Sequence, residues 1–186
     1  MSTERGILTG FLLLIFFSTS AQQDSTRSRI RSFASLHMGA LFADAGAPYP
    51  SVALSAGVAV DRMSVSIGAS YDVYHVWETL AVFVGIGWDA VRFRNATFLA
   101  QVNGGYAKAW HSTEAEILSP GGYLVHPIVG YRLRHGRLEV YMSAGYKFQR
   151  LEYEQRARWW GGWGPEQVTV VQDMERVSVQ LGIGIR

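Results

Sequence analysis

One short segment of the sequence combines the side-chain types that acyl-transfer chemistry requires. His111 and Ser112 are adjacent, and Glu114 and Glu116 follow within the next four residues. A serine hydroxyl becomes a nucleophile when a histidine accepts its proton and a carboxylate orients the imidazole ring. These residues fall in a predicted loop, where serine, histidine and glutamate often lie close together without any catalytic role. We therefore expect no enzymatic activity and keep a nucleophilic serine as the alternative.

The sequence predicts neither a metal site nor a bound cofactor. It contains no cysteine, no HExxH segment and no glycine-rich phosphate loop. His37 and His126 occupy polar positions of predicted strands. We expect their imidazole groups to join a hydrogen-bond network instead of coordinating a metal ion.

Three tryptophans, Trp159, Trp160 and Trp163, lie close together in the long predicted loop Arg150–Gln172. Before them, Tyr153 and its neighbours alternate between apolar and acidic residues, which indicates that the flanking strands continue into the loop as a ribbon. An exposed aromatic tip of this kind is a contact surface for an extracellular protein or a glycan. The edge of the ribbon can also accept a strand from another chain. The alternative is that the rings fold back onto the protein or lie at a lipid interface.

Apolar and polar residues alternate through most of the chain after residue 30. The clearest rows are Leu138–Gln149 and Val177–Ile185, in which every second residue is apolar. Period two predicts β-strands because successive side chains of a strand point to opposite faces. Six further rows show the same pattern: Ile30–Phe42, Val52–Val60, Met63–Asp72, Leu80–Asp89, Phe98–Tyr106 and Tyr123–Leu133.

The connections between these rows alternate between short and long. Short turns are predicted near Asp61, Asn95 and Gly136. An up-and-down arrangement then places all the short turns at one end and all the long loops at the other. This asymmetry predicts an all-β fold, an eight-stranded antiparallel up-and-down transmembrane β-barrel over residues 30–186. The longer loops are Asp44–Pro50, His75–Glu78, His111–Gly122 and Arg150–Gln172.

The N-terminal segment reads as a secretory signal. Ile7–Phe17 is the one long apolar run of the chain, and it is too short to span a bilayer as a helix. Arg5 precedes the run, and Thr19 and Ala21 stand at the −3 and −1 positions of a cleavage site. We expect a signal peptide over residues 1–21 and a polar leader over residues 22–29; the alternative is a buried first helix.

The second face of each predicted strand carries mostly Gly, Ser, Ala, Gln and Asn with a few charges. A soluble lipocalin-like barrel would place the apolar face inside and a charged face in water. Small and weakly charged side chains instead fit a narrow lumen, so we expect the apolar face to contact lipid. Eight strands leave room only for packed side chains, and buried charges need partners. We expect a salt-bridged lumen plug formed by Arg31, Asp72, Asp89, Arg132, Glu139, Lys147 and Arg176.

Aromatic and charged residues are placed as a membrane barrel requires. Arginines are concentrated at the predicted turn end and acidic residues at the loop end, which indicates anchoring at the membrane edge and a solvated loop surface. Aromatic residues near the strand ends fit interfacial girdles. They are Phe42, Tyr71, Trp88, Phe98, Tyr106, Tyr123, Tyr131, Tyr146 and Phe148.

With this topology and alternation, the chain resembles the small eight-stranded outer-membrane β-barrel proteins of Gram-negative bacteria, such as outer membrane protein X and the wider outer-membrane β-barrel domain families. The resemblance covers nearly all of the chain after the signal peptide and rests on no diagnostic motif. One feature departs from the family, in which the chain usually ends in an aromatic residue, whereas this sequence ends in Arg186.

The resemblance implies a location in the outer membrane after signal-peptide cleavage, in contact with outer-membrane lipid and lipopolysaccharide. It implies a monomer with a filled lumen and a structural or adhesive role through the long loop. Some barrels of this size are lipid A acylases or deacylases, and that activity is the alternative for His111 and Ser112. Nucleic acid is not an expected partner, because the secretory signal directs the chain away from it.

Overall fold

The computed structural model describes residues 30–43, 47–74, 77–111, 118–157 and 166–186. Each strand pairs antiparallel with its neighbours in the chain, and the first strand pairs with the last to close the sheet. The predicted eight-stranded up-and-down barrel is therefore confirmed. The signal peptide (1–21) and the leader (22–29) lie outside the described residues. The strands are β1 (Arg31–Phe42), β2 (Tyr49–Val60), β3 (Met63–Val73), β4 (Trp77–Arg92), β5 (Ala96–His111), β6 (Leu118–His135), β7 (Leu138–Ala157) and β8 (Glu166–Ile185).

Short turns join β2 to β3, β4 to β5 and β6 to β7, at the three predicted places. The strands reach further toward the loop end than the sequence predicted. In particular, β7 and β8 pair in one unbroken register from Leu138 opposite Ile185 to Ala157 opposite Glu166. Much of the predicted loop Arg150–Gln172 is therefore strand, and the predicted ribbon is confirmed. We call the pairs from Gln149 opposite Met174 to Ala157 opposite Glu166 the β7–β8 ribbon.

The beginning of β6 differs from the prediction. Pro120-Gly121-Gly122 was expected to belong to a loop, yet β6 begins at Leu118. Gly122 allows this because a Cβ atom there would overlap the carbonyl oxygen of Arg150 on β7, so only glycine permits the two strands to approach. The β6–β7 register shifts between Leu118 and Gly121, which accommodates the irregular segment.

The outer surface of the barrel is apolar, as predicted. Its exposed side chains come from every second residue of the strands, for example Val84 and Ile86 on β4. On β7 the outward apolar row runs from Leu138 to Phe148, and on β8 it runs from Val177 to Ile185. These lengths match the 9–11 residues that a strand needs to cross the hydrocarbon core. A soluble lipocalin-like barrel has the opposite arrangement, with its apolar side chains inside.

The aromatic residues expected in the girdles lie on this outer surface near the ends of the outward apolar rows. Phe148 is half-buried, because its ring packs against Tyr123 at 5.8 Å. Two tyrosines at the loop end also hold acidic side chains of the neighbouring strand. The Tyr71 hydroxyl donates to Glu78 at 2.7 Å, and the Tyr146 hydroxyl donates to Glu175 at 2.6 Å.

A helix capable of crossing a lipid bilayer is not found in the described part of the chain.

The lumen contains an apolar cluster that the alternation did not predict. The Phe83 ring of β4 packs over Gly68 of β3, where a Cβ atom would lie 2.5 Å from the ring and 2.6 Å from the Leu54 carbonyl oxygen. Position 68 therefore has no room for a side chain while the ring is in place. Buried around Phe83 are Ala81, Ala107 and Leu124.

Candidate functional site

A buried ion pair lies inside the barrel toward the loop end. The Lys147 ammonium group of β7 contacts the Asp72 carboxylate of β3, and the two side chains are 2% and 0% exposed. Asp72 also accepts hydrogen bonds from Ser51 at 2.6 Å and Thr79 at 3.5 Å. Lys147 donates a further hydrogen bond to Ser70 at 3.2 Å. This cluster balances one positive charge with one negative charge.

A larger ionic cluster lies inside the turn end of the barrel. Arg132 donates to both carboxylate oxygens of Asp89 at 2.8 and 2.9 Å, and Arg92 donates to Asp89 at 2.8 and 3.0 Å. Glu139 is almost completely buried and has a second group of donors. These are Arg134 at 3.1 Å, Arg186 at 3.4 Å and the Tyr141 hydroxyl at 2.5 Å.

A β-bulge explains how Asp89 and Arg92 come to share a carboxylate–guanidinium contact. Residues three apart on a regular strand point to opposite faces. The β4–β5 register shifts between Asp89 and Val91, so one extra residue restores Arg92 to the interior face.

The predicted lumen plug is therefore two separate ionic clusters. Asp72, Asp89, Arg132, Glu139 and Lys147 all make ionic contacts inside the barrel. The two remaining members, Arg31 and Arg176, lie elsewhere. Four participants were missed by the sequence prediction: Arg92, Arg134, Tyr141 and Arg186.

Arg31 is exposed at the turn end, where it lies beside a cleft. Arg176 is half-buried, with its guanidinium 5.8 Å from the centre of the Tyr74 ring and donating to the Glu175 carbonyl at 2.7 Å. Among the missed residues, Arg134 is two positions after Arg132 on the same strand and so faces the same side of the sheet. The sequence therefore indicated an interior position for it.

A chamber of about 60 Å³ lies between the two ionic clusters and is lined by both polar and apolar side chains, among them Asp89, Lys147 and Phe83. This volume has room for about five water molecules. His37 lies 3.0 Å from the Ser35 hydroxyl, and His126 lies 2.7 Å from the Ser178 hydroxyl. The predicted hydrogen bonds of both histidines are thus confirmed. Within the described ranges, no group of three His, Asp or Glu side chains is arranged to hold a metal ion.

An apolar layer closes the interior at the loop end. Tyr153 of the β7–β8 ribbon is half-buried, and its ring centre lies 5.1 Å from that of Trp77. The aromatic ring predicted as a contact for partners therefore packs into the barrel mouth. The buried members of this layer are Leu41, Tyr74, Trp77, Ala109, Leu151 and Met174.

The β7–β8 ribbon reverses the inside–outside pattern of the rest of the barrel. Leu151 and Met174 point inward, whereas Arg150, Glu152 and Asp173 lie on the outer face. Arg150 pairs with Asp173 through contacts of 2.6 and 2.8 Å. These hydrogen bonds hold the pKa of the Asp173 carboxyl below its usual range. A charged outer face indicates water, so the membrane-facing part of β7 ends near Phe148.

Several candidate residues lie where the structure does not test them. Trp159, Trp160 and Trp163 lie outside the described residues. His111 is the last residue of β5, and its proposed partners are likewise outside the described ranges: Ser112, Glu114 and Glu116. The acyl-transfer alternative and the tryptophan contact surface both stay predictions.

No protein-family model and no curated protein sequence matches the chain. Solved structures do match it. The crystal structure of Neisserial surface protein A aligns with a TM-score of 0.60 and 8% identity, over 84% of this chain and 96% of that chain. The solid-state NMR structure of outer membrane protein AlkL in DMPC lipid bilayers aligns with a TM-score of 0.54 and 11% identity, over 90% of this chain and 94% of that chain.

The chain has the fold of a transmembrane β-barrel. Identities this low establish the fold alone. The narrower resemblance to outer membrane protein X is not confirmed, because no family model matches the sequence.

Proposed function

We propose that this protein is a monomeric, non-enzymatic β-barrel of the outer membrane of a Gram-negative bacterium. In this proposal the apolar outer surface contacts outer-membrane lipid and lipopolysaccharide, and the β7–β8 ribbon projects from the membrane to contact an extracellular protein or a glycan. The observation that carries the proposal is the length of β7 and β8, which have 20 residues each. That length is about twice what a membrane strand needs.

The ribbon supports a contact role because it is ordered by its own pairing. Nine residue pairs at about 3.3 Å per residue give it a length of about 30 Å. Leu151 and Met174 fix its base in the apolar layer, and the Arg150–Asp173 pair joins its two strands on the outer face. A projecting segment that is already paired loses little conformational entropy on binding.

One edge of the ribbon is also available for pairing. The pairing of β1 with β8 ends at Phe42 opposite Val177, so within the described residues Glu166–Arg176 is paired only with β7. An unpaired strand edge is a template for an added strand. This edge and the tryptophan tip are the two surfaces that a partner would use.

The filled lumen supports a role other than transport. Two ionic clusters, the Phe83 cluster and the apolar layer at the loop end occupy the interior. Eight-stranded barrels are narrow enough for side chains to fill them. We therefore expect no single-channel conductance in planar lipid bilayers, and we expect lipid A incubated with the protein to keep its acyl chains. Conductance steps would replace the proposal with transport; acyl loss that Ser112→Ala abolishes would replace it with catalysis.

Trimming the ribbon tests the contact role. Replacing residues 155–168 by Asn-Gly joins Glu154 directly to its pairing partner Thr169 through a two-residue hairpin turn. The trimmed barrel is expected to keep its heat-dependent gel mobility, because Leu151, Tyr153 and Met174 are retained. Its binding to arrays of glycans and extracellular-matrix proteins is expected to fall to background.

A second variant separates the two surfaces of the ribbon. Replacing Trp159, Trp160 and Trp163 by serine removes the aromatic tip and leaves the paired edge in place. Loss of binding in this variant assigns the contact to the tip, and retention assigns it to the edge. Binding by the trimmed barrel at the level of the parent protein would contradict a contact made through the tip or through the other residues that trimming removes.

A further inference from the structure

The ionic cluster at the turn end carries more positive than negative charge. Its side chains include four guanidinium groups, those of Arg92, Arg132, Arg134 and Arg186. They share only two carboxylates, Asp89 and Glu139, within the described residues. Arg31 and Asp61, which line the adjoining cleft, add one charge of each sign. A main-chain carboxylate on Arg186 would reduce the excess by one and leave it positive. Unbalanced charge in a partly buried place is unfavourable unless a counterion is bound.

The Asp72–Lys147 cluster at the other end provides the contrast. It contains one cation and one anion, and Asp72 accepts further hydrogen bonds from Ser51 and Thr79. That cluster needs no external ion. The need for an anion is therefore specific to the turn end.

A cleft lies where the excess charge meets water. It has a volume of about 60 Å³ and is lined by Arg31, Asp61, Arg92 and Arg186. By the volume that a water molecule needs, the cleft has space for about five water-sized groups, enough for the four oxygens of a phosphate group. Arg31 is exposed on the rim, and the Nε atom of Arg186 is buried without a hydrogen-bond partner.

The guanidinium groups around the cleft repel one another. Arg92 is oriented by Asp89 and by the main-chain carbonyl of Asp61, which brings it to the cleft wall. Arg186 follows the last strand, and its pKa is lowered. Burial is the largest cause, and the guanidiniums of Arg134, Arg132 and Arg31 add to the lowering while Glu139 opposes it. An anion in the cleft would relieve this repulsion.

We propose that the turn-end cleft binds an oxyanion of the phosphate class between Arg31, Arg92 and Arg186. Guanidinium groups present paired N–H donors whose geometry fits phosphate oxygens, which favours an oxyanion over a halide. The phosphate can be a free ion or the headgroup of a membrane lipid, since the cleft lies at the edge of the membrane. This site is distinct from the ribbon and does not depend on the ribbon's role.

Calorimetric titration of the full chain with inorganic phosphate, in octyl glucoside at fixed ionic strength, tests the free-ion form. This detergent contains no phosphate. We expect saturable binding of one phosphate per chain, weakened about tenfold or more by Arg31→Gln, because a charge-assisted hydrogen bond is lost. Arg94→Gln is the matched control, since Arg94 is an exposed arginine in the β4–β5 turn that does not line the cleft.

A second arm tests the lipid headgroup. The midpoint of thermal unfolding is compared in phosphatidylglycerol vesicles and in uncharged galactolipid vesicles, both in phosphate-free buffer. A lipid phosphate in the cleft predicts a higher midpoint in phosphatidylglycerol, and this gain falls in Arg31→Gln but not in Arg94→Gln. Arg31→Lys keeps the positive charge but removes the paired N–H donors of the guanidinium group. We expect this variant to lose an intermediate part of the gain.

Either arm, with an effect confined to Arg31, supports the site and identifies the source of the phosphate. Equal losses in Arg31→Gln and Arg94→Gln would show only diffuse attraction between anions and a basic surface, and would overturn the proposal. So would the absence of both phosphate binding and a phosphatidylglycerol-dependent gain in the parent protein.

Discussion

Replacement of Lys147 by methionine is expected to lower the free energy of unfolding by about 3–5 kcal/mol, because it leaves a buried carboxylate without its cation. Asp72 is 0% exposed, so water cannot take the place of the ammonium group. Ser51 and Thr79 would still donate to Asp72, but two neutral hydroxyl groups do not balance its charge. Methionine is unbranched like lysine and only one atom shorter, so the loss reports charge more than volume.

Reversible unfolding in urea from lipid vesicles, followed by tryptophan fluorescence, measures this effect. The double variant Lys147→Met, Asp72→Asn is the control, because it removes both charges and keeps the shape of the pair. It is expected to recover most of the lost stability, since replacing both members of a buried pair is often nearly neutral. A single variant as stable as the parent protein, or a double variant as unstable as the single one, would show that the two groups do not form a buried pair.

Val84→Arg is expected to destabilise the barrel in a bilayer by about 2–4 kcal/mol, because arginine would face hydrocarbon at the middle of β4. Val171→Arg is the matched control on the β7–β8 ribbon. The two valines are 51% and 53% exposed, so the protein surroundings are similar. Only the solvent differs in our account, which places lipid at Val84 and water at Val171.

Val171→Arg is expected to change the free energy of unfolding by less than about 0.5 kcal/mol, as is usual for exposed surface positions. Urea unfolding of the two variants from the same vesicles gives the comparison. Equal effects at the two positions would contradict a membrane boundary between the barrel and the ribbon. A larger loss at Val171 would reverse the placement of the membrane.

The topology was predictable because its signals are local. Period-two alternation assigns each side chain to one of two faces, and the short turns near Asp61, Asn95 and Gly136 fix the antiparallel order. From Leu151 onward the apolar residues of β7 fall at odd instead of even positions, so they face the interior. This change is also visible in the sequence. The same signals gave an interior position for Asp72, Asp89, Arg132, Glu139 and Lys147.

The pairing inside the lumen was not predictable, because it depends on strand tilt and stagger. Lys147 and Asp72 belong to β7 and β3, which are not neighbours in the sheet and meet only across the interior. The alternation along each strand shows that both side chains face the lumen, but it does not show at which depth they lie. For the same reason the single predicted plug is two clusters in the structure, with the chamber between them.

Local irregularities account for the remaining differences. The bulge that turns Arg92 inward has no sequence signature in the segment Trp88–Arg92. Pro120-Gly121-Gly122 carries the residues of a turn, yet the pairing of β6 with β5 and β7 overrides that preference. Phe83 fits the lumen only because the register brings Gly68 opposite to it.

We propose that the apolar outer surface of the barrel faces lipid and that the β7–β8 ribbon stands in water. Because the chain has no cysteine, single cysteines at Leu54, Val129 and Val171 can each carry one spin label. In lipid vesicles, collision with oxygen reports hydrocarbon and collision with a water-soluble nickel complex reports water. We predict that oxygen dominates at Leu54 and Val129 and that nickel dominates at Val171. Nickel access at Leu54 and Val129 equal to that at Val171 would contradict the account.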